Sequence, residues 1–372
     1  MKPSIAVVSR GWWPCIKGGS EKFMRRVADN LHSMGYRVTA VTRMIGACTP
    51  EADYPVVYRR VRLRLPLVSS YLFSRWAAGV VNRLGVDVAL VNSYWGEAAP
   101  LYIRRGVRVV SVIHDVGLLH SPTSGGRLHN RLRLRVLRRV VERSDAIIVP
   151  VEPVKRDVVE HLGADPGKVR VIGFEGVDAP MKRIHRENGV FDVVCVARFA
   201  PNKAQDALIR GFAGFVEETG AEAHLWLVGG LTDREYYARV VEEARRAEER
   251  IGRGRITIVA DADDVSPYYE VADVCVYPSR GEEGYGLGVA ECMGYGKPVI
   301  ASRVFQWTGI ATPDTALIIE PGDPDSVKEA LERIHGDPAL AEKLAARGLE
   351  RVKGLTWRRV AEFVASVIDE LS

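Results

Sequence analysis

Cysteine is scarce in this 372-residue chain: Cys15, Cys48, Cys195, Cys275 and Cys292 are odd in number and nowhere spaced C-x-x-C. That pattern excludes a disulfide scaffold, argues against a structural zinc site and leads to the expectation of a cytosolic compartment. Glutamine occurs only at positions 205 and 306, and arginine supplies most of the positive charge. Scarce amide and abundant charge fit a thermophilic source. No apolar run reaches the roughly 18 residues of a membrane-spanning helix. The opening residues MKPSIAVVSRGWWP form a short strand-like stretch without the long apolar segment of a signal peptide. Two phosphate-binding fingerprints are also missing. There is no G-x-x-x-x-G-K-[ST], so a P-loop NTPase is unsupported. The loop after the first strand is not G-x-G-x-x-G, so a nicotinamide dehydrogenase lacks its signature.

What the chain does have is enough apolar residue, 47% against 27% charged, to bury a core, and enough length for two domains. Short β-branched runs alternate with helical patterns. Ile5–Val8, Val38–Val41, Val86–Val91, Val107–Ile113 and Ala146–Val149 read as buried strands, with Phe23, Met24, Val27, Leu31 and Met34 forming a helical stripe between the first two. The rhythm restarts with strands at Val193–Ala197, Ala223–Val228, Arg255–Val259, Val274–Tyr277, Pro298–Ile300 and Leu317–Ile319. The helices between them fall near 204–218, 233–250, 288–295 and 324–335. The aperiodic stretch 178–190 reads as a linker, giving domains at 1–180 and 181–354. The expectation is α/β: two parallel-sheet, Rossmann-like lobes with a ligand cleft outside the carboxyl ends of their strands. The net charge of +5 hides an asymmetry: residues 1–180 carry 28 Lys+Arg against 15 Asp+Glu, so an acidic second half offsets a basic first half. The first half is expected to meet something anionic.

The segment 278–301 carries the clearest chemistry. A strand runs into a loop holding Gly281, Gly284, Gly286 and Gly288, then into a helix. Glycines admit backbone N–H groups close to a phosphate, and a helix N-terminus adds partial positive charge. Glu283 and Glu291 flank this turn, and carboxylates beside a phosphate suit sugar hydroxyls. Arg198 and Lys203 follow a core strand and suit a diphosphate, the guanidinium by its fork and the ammonium as a point charge. Gly18-Gly19 opens a helix in the first half, and His114 ends a strand where it could hydrogen-bond a substrate. Asp261-Ala-Asp263 superficially matches a D-x-D metal motif, but helix-capping acids explain it better.

GGSE at 18–21, IHD at 113–115, GVD at 176–178, VARFAPNK at 196–203 and YPSRGEEGYGLGVAECMGYGKPVIAS at 277–302 together resemble family 4 glycosyltransferases. LIIEPGDPDSV at 317–327 and a closing helix after Leu355-Thr-Trp357 extend the likeness over nearly the whole chain. The resemblance implies a GT-B fold and a retaining transferase using a UDP- or GDP-linked hexose as co-substrate, with no further cofactor and no metal. It places Gly18, Gly19, Arg198, Lys203, Glu283, Gly286, Leu287 and Glu291 at the donor. His114, Glu283, Arg198 and Lys203 become the catalytic set, and the helix 355–372 packs back on the first lobe. Four positions depart from the family pattern: Ala204 where glycine is usual, Glu175 before Gly-Val-Asp178, Phe305 to Ile310 in place of G-G-x-x-E, and Pro150-Val151-Glu152 after a strand.

The acceptor side rests on charge. Arg127, Arg131, Arg135 and Arg138 fall on one face of a helical pattern, and Arg59, Arg60, Arg62 and Arg64 precede a stretch with Tyr71, Phe73 and Trp76. Such faces suit peripheral contact with an anionic inner membrane surface and a lipid-linked acceptor. A soluble small-molecule acceptor is the alternative, as are a GT-B-type epimerase or a non-catalytic sugar-nucleotide-binding protein. No nucleic-acid recognition motif is present.

Overall fold

The computed structural model describes residues 2–16, 18–44, 46–60, 66–93, 98–114, 116, 126–173, 175–184, 189–281, 285–306 and 308–371. The chain divides into two compact units, Met1–Gly176 with Leu355–Ser372, and Val177–Gly354.

The first unit contains β1 (Ser4–Val8), α1 (Gly19–Ser33), β2 (Arg37–Met44), β3 (Val56–Arg60), α2 (Pro66–Leu84), β4 (Val88–Asn92), β5 (Arg108–Val112), α3 (Gly126–Arg143), β6 (Ala146–Val149), α4 (Glu152–Leu162) and β7 (Val169–Val171). All seven strands are parallel, in the order β3-β2-β1-β4-β5-β6-β7. Alternate residues serve opposite faces. Val7, Ala40, Leu90 and Val112 pack under α1, while Ala6, Val8, Val41 and Val91 pack under α2.

The second unit contains β8 (Phe191–Val196), α5 (Gln205–Thr219), β9 (Ala223–Gly229), α6 (Arg234–Ile251), β10 (Ile256–Ala260), α7 (Ser266–Val271), β11 (Val274–Tyr277), α8 (Leu287–Gly294), β12 (Val299–Ser302), β13 (Leu317–Ile319), α9 (Pro324–Gly336) and α10 (Pro338–Val352). Its parallel sheet runs β10-β9-β8-β11-β12-β13. Aspartates fix three of the helix starts: Asp233, Asp323 and Asp337 accept from backbone N–H groups in the first turns of α6, α9 and α10.

The last helix, α11 (Trp357–Asp369), belongs to the first unit. Its stripe Val360, Val364, Val367 and Ile368 shares one core with Phe23, Met24, Val27 and Leu31 of α1. Trp357 lies so close over Gly176 that a Cβ there would meet the indole at 2.3 Å. Tyr36 closes the end by donating to Asp369 at 2.8 Å.

Six elements escape the periodicity reading: β3, α2, α4, β7, α7 and α10. β3 is mostly exposed and polar, β7 has three residues, and α10 buries only Leu344, Ala345, Gly348 and Val352. The cysteine spacing did not suggest the two disulfides that form, Cys15 with Cys48 and Cys275 with Cys292, while Cys195 is buried outside any disulfide. Spacing rules look for local pairs, whereas a parallel sheet juxtaposes the loops after β1 and β2, and lays α8 on β11, across separations of 33 and 17 residues. Among the described residues no helix is long and apolar enough to cross a membrane. Residues 185–188 of the expected linker lie outside the described residues.

Lys297, just beyond α8, is 5% exposed and donates to the Glu270 carbonyl at 2.9 Å. Burial lowers its pKa to about 8, against the pull of Asp273. Below pH 8 the lysine is charged whether folded or unfolded, and the fold bears the cost of the buried charge. Between pH 8 and its ordinary range only the unfolded chain keeps the proton, so this group makes stability rise with pH. Denaturant titrations from pH 7 to 10.5 should show that rise, on the order of 3 kcal/mol at most. Lys297→Met should flatten it; parallel curves for the two proteins would refute the assignment.

Candidate active site

In the second unit the strand order reverses between β8 and β11, and the loops leaving those two strands meet. Ligands of open parallel sheets bind outside the carboxyl ends at such a reversal. After β8, the Phe199 ring is fully buried and its N–H donates to the Gly230 carbonyl at 2.9 Å, pinning the loop that carries exposed Arg198 and half-buried Lys203. Gln205, 1% exposed, donates from Nε2 to the Arg198 carbonyl at 2.9 Å. Ala204, where the family usually has glycine, stands in the left-handed region at φ 57°.

The loop after β11 is fastened to this one twice. The Arg280 N–H donates to the Asn202 carbonyl at 2.8 Å, and the Arg280 guanidinium forks Asp206 at 2.7 and 2.8 Å. Tyr236 donates to the same carboxylate at 2.7 Å and Arg210 at 3.2 Å. Burial alone would raise the Asp206 pKa; Arg280, Tyr236 and Arg210 overcome it and hold the carboxyl well below the usual carboxylate range. Sequence reasoning missed this clamp. Its one signal was position, since Arg280 and Asp206 each lie within three residues of a singled-out residue.

Gly286 precedes α8 at φ 89°, a conformation that favours glycine. Gly288 lets the first turn of α8 settle on the end of β8: a Cβ there would lie 2.9 Å from both the Val196 carbonyl oxygen and the Tyr277 ring. Tyr277 donates to the Gly288 carbonyl at 2.7 Å. The helix therefore begins at Leu287, with its open N–H groups over the reversal point. Glu291, 7% exposed, accepts from Tyr269 at 3.1 Å, and Tyr269 stacks on Tyr295. Glu283 lies outside the described residues, as do Glu282 and Gly284.

In the first unit His114 stands two residues beyond β5, its ring edge-on to Phe23 at 5.0 Å. Its Nε2 is sealed from solvent and has no hydrogen-bond partner among the described residues. Burial lowers its pKa to about 4, so the imidazole is neutral at physiological pH. Gly18 caps α1 in an extended conformation with Gly19 as first helical residue. The Glu21 carboxylate fills the space beside Gly18, where a Cβ would meet it at 2.1 Å, and Ser20 donates to it at 2.9 Å. An acidic group thus stands where the sequence reading places phosphates. Asp115 lies outside the described residues.

Arg131, Arg135 and Arg138 are all exposed on α3, and Arg138 donates to the His161 carbonyl at 3.1 Å. The side chain of Arg127 and residues Arg62 and Arg64 lie outside the described residues. Phe73 and Trp76, expected at an interface, turn into the core under α2 instead. Asp261 accepts from the Leu231 N–H at 2.9 Å, which fastens a loop rather than a helix start, and the neighbouring Asp264 accepts from the Ser266 N–H at 2.9 Å.

The family model for glycosyltransferase family 4 matches residues 17–178, and that for glycosyl transferases group 1 matches residues 190–337. The D-inositol 3-phosphate glycosyltransferase of Nocardiopsis dassonvillei is 28% identical over 94% of this chain and 89% of its own length. Sucrose-phosphate synthase from Thermosynechococcus elongatus shares the fold with a TM-score of 0.79 at 24% identity, covering 100% of this chain and 99% of that one. Anabaena HepE in complex with UDP and glucose does so at 0.77 and 16% identity, covering 99% of each chain. Two Rossmann-like lobes with this strand order are the GT-B fold. Matched in both units and along nearly its full length, this chain belongs to the family 4, or group 1, glycosyltransferases.

Proposed function

We propose that the enzyme takes its sugar from a nucleoside diphosphate donor, UDP- or GDP-linked, held by the second unit, and transfers a hexose with retention. The clamp joining the Arg198–Lys203 loop to the Arg280 loop, below the open N-terminus of α8, carries this reading. It presents two cations and a row of backbone donors where a leaving diphosphate needs charge stabilised, and it does so without rearrangement. Glu291, oriented by Tyr269, suits ribose hydroxyls, and Gly286 and Leu287 admit the phosphates closely. Glu283 is assigned to donor-sugar hydroxyls. HepE, whose structure holds UDP and glucose, supports a UDP donor by likeness of fold.

Arg198→Ala, Lys203→Ala and Glu291→Ala should each weaken donor binding by about 1.5–3 kcal/mol while the thermal midpoint barely moves. Calorimetry with UDP and GDP sugars reads this directly. Unchanged affinity in all three variants would remove the site.

His114 is assigned to the transferred sugar as a neutral hydrogen-bonding group. Its lowered pKa means that its ring signal should not titrate between pH 5.5 and 8 in NMR. The unfolded chain binds this proton below about pH 6.5 while the fold resists it down to about 4, so this residue erodes stability on acidification through that window. His114→Ala should reduce turnover about 10- to 100-fold with nucleotide affinity retained. A midpoint near 6.5 would contradict the assignment.

A second reading concerns location, and one observation favours it. Val68, Tyr71 and Leu72 of α2, Tyr102 just after the turn Ala99–Leu101, and Leu132 of α3 are each more than a third exposed. Both helices pack on the turn Ala99–Leu101; Arg75 lies over the Tyr102 ring, Tyr71 meets that ring edge-on, and Arg131 and Arg135 are exposed on α3. Apolar and aromatic groups ringed by arginine suit the interface of an anionic bilayer. Reversing Arg131 and Arg135 to Glu should cut sedimentation with anionic vesicles, in which each arginine contributes about 1 kcal/mol, and leave nucleotide binding intact. Wild-type protein that stays in the supernatant at low salt would favour a soluble acceptor without membrane contact.

A further inference from the structure

The second sheet ends on β10, and one side of that strand is left open. Two bonds fix which groups point outward. The Leu225 N–H donates to the Arg255 carbonyl at 2.8 Å, and the Asp261 N–H to the Gly229 carbonyl at 2.8 Å. In a parallel ladder a residue turns its N–H and its carbonyl to the same neighbour. Residues 255, 257, 259 and 261 therefore face β9, while Ile256, Ile258 and Ala260 face away. The Ile256 N–H is taken by the Glu248 carboxylate at 3.1 Å. The Ile256 carbonyl and both backbone groups of Ile258 and Ala260 have no protein partner among the described residues.

The other sheet ends are blunted. β3 carries Arg59 and Arg60, while β7 and β13 have three residues each, with Arg170 in β7. Charge and shortness are how natural edges refuse another strand. β10 has neither protection: Ile256-Thr-Ile-Val-Ala260 is free of charge, proline and glycine, and all five residues are half-buried. Charge lies only beyond its ends, and the two ends differ in sign. Arg253 and Arg255 precede the strand; Asp261, Asp263 and Asp264 follow it. Arg255 already meets Glu222 at 3.1 Å, whereas Arg253 is exposed and has no acidic partner among the described residues.

We propose that β10 pairs antiparallel with β10 of a second copy of this chain, about a twofold axis at Ile258, joining two six-stranded sheets into one. The charge pattern selects this partner. Antiparallel reversal lays the basic end of each strand against the acidic end of the other and brings Arg253 towards Asp263, whereas parallel pairing sets like charges side by side. Each Ile258 exchanges both backbone bonds with its counterpart, and each Ala260 N–H donates to the opposite Ile256 carbonyl. The Ile256 N–H keeps Glu248. Ile256, Ile258 and Ala260 pack into the core of their own unit, so Thr257 and Val259 occupy the other face, beside His224 and Trp226 of β9. There Val259 meets Thr257 of the second copy across the axis.

Sedimentation equilibrium of the full-length protein over about a hundredfold range of concentration reads the association. Wild type should pass from one chain to two and stop there. Arg253→Asp should weaken the dimer about tenfold or more at low salt, and adding Asp263→Arg should recover most of that loss, because the swap restores opposite charges at each end. Val259→Lys, which puts a charge on the edge strand beside the axis, should abolish the dimer. Hydrogen exchange separates a lost dimer from a damaged fold. The Ile258 and Ala260 amides should be protected in concentrated wild type and exposed in Val259→Lys, while the amides of residues 257 and 259, bonded to β9, stay protected in both. A single chain at every concentration, or a dimer that all these variants retain, overturns the pairing. So does assembly beyond two chains, since a twofold pairing uses both edges, and so do Ile258 and Ala260 amides that exchange equally fast in dilute and concentrated wild type.

Discussion

A parallel sheet cannot be closed by hairpins, and that constraint shapes everything else in this protein. Each strand must return across a face of the sheet, so both faces are covered and the inner strands are buried on both sides, while the edge strand β3 stays mostly exposed. The loops at the carboxyl edges are then the sites where polar groups gather. Strand order reverses between β1 and β4 and between β8 and β11, and ligands of open parallel sheets bind at such points. The charged and glycine-rich residues of the second unit collect at one of these points. Ser9, Arg10, Asn92 and Ser93 collect at the other.

The second unit shows how such an opening is made rigid. A loop that must display cations cannot bury them, so its rigidity has to come from neighbours that do not touch ligand. Phe199 anchors one loop through the core, Gln205 holds its carbonyl, and the Asp206–Arg280 pair fastens it to the next loop. Tyr269 does the same for Glu291, and Tyr277 for the first turn of α8. Each is a buried or half-buried group with its hydrogen bond directed at a functional loop. Glycine at 288 completes the arrangement, because only a residue without a side chain lets α8 rest on the Val196 carbonyl.

These supports explain what the sequence made legible. Strands of β-branched residues and the amphipathic stripe of α1 are local patterns, so the two Rossmann-like lobes and most elements were readable, while the GT-B class came with the family resemblance. The loops at 198–203 and 278–301 were readable as motifs because glycine and charge are concentrated there. Asp206, Tyr236 and Tyr269 were not, because their partners lie 74, 30 and 22 residues away and no periodicity links them. The disulfides failed for the same reason: pairing depends on which loops the sheet brings together. β3 escaped because an exposed edge strand ending in Tyr-Arg-Arg lacks the apolar alternation that marks a strand.

The charge asymmetry, too, resolves into local arrangements. In the second unit arginines are met by acids, as in the chain of Arg245, Arg246, Glu242 and Glu249 along exposed α6. Exposed pairs of this sort contribute little to stability, since water screens them. In the first unit the surplus falls where acids are few: on α3, where Arg131 and Arg135 face solvent, and at Arg10. Solvent compensates the first group cheaply, so α3 needs no ligand to be stable. Arg10 differs because its guanidinium is partly withdrawn from water and its Nε is sealed. A fold that keeps such a group against α2, rather than letting it reach solvent, carries a standing electrostatic cost.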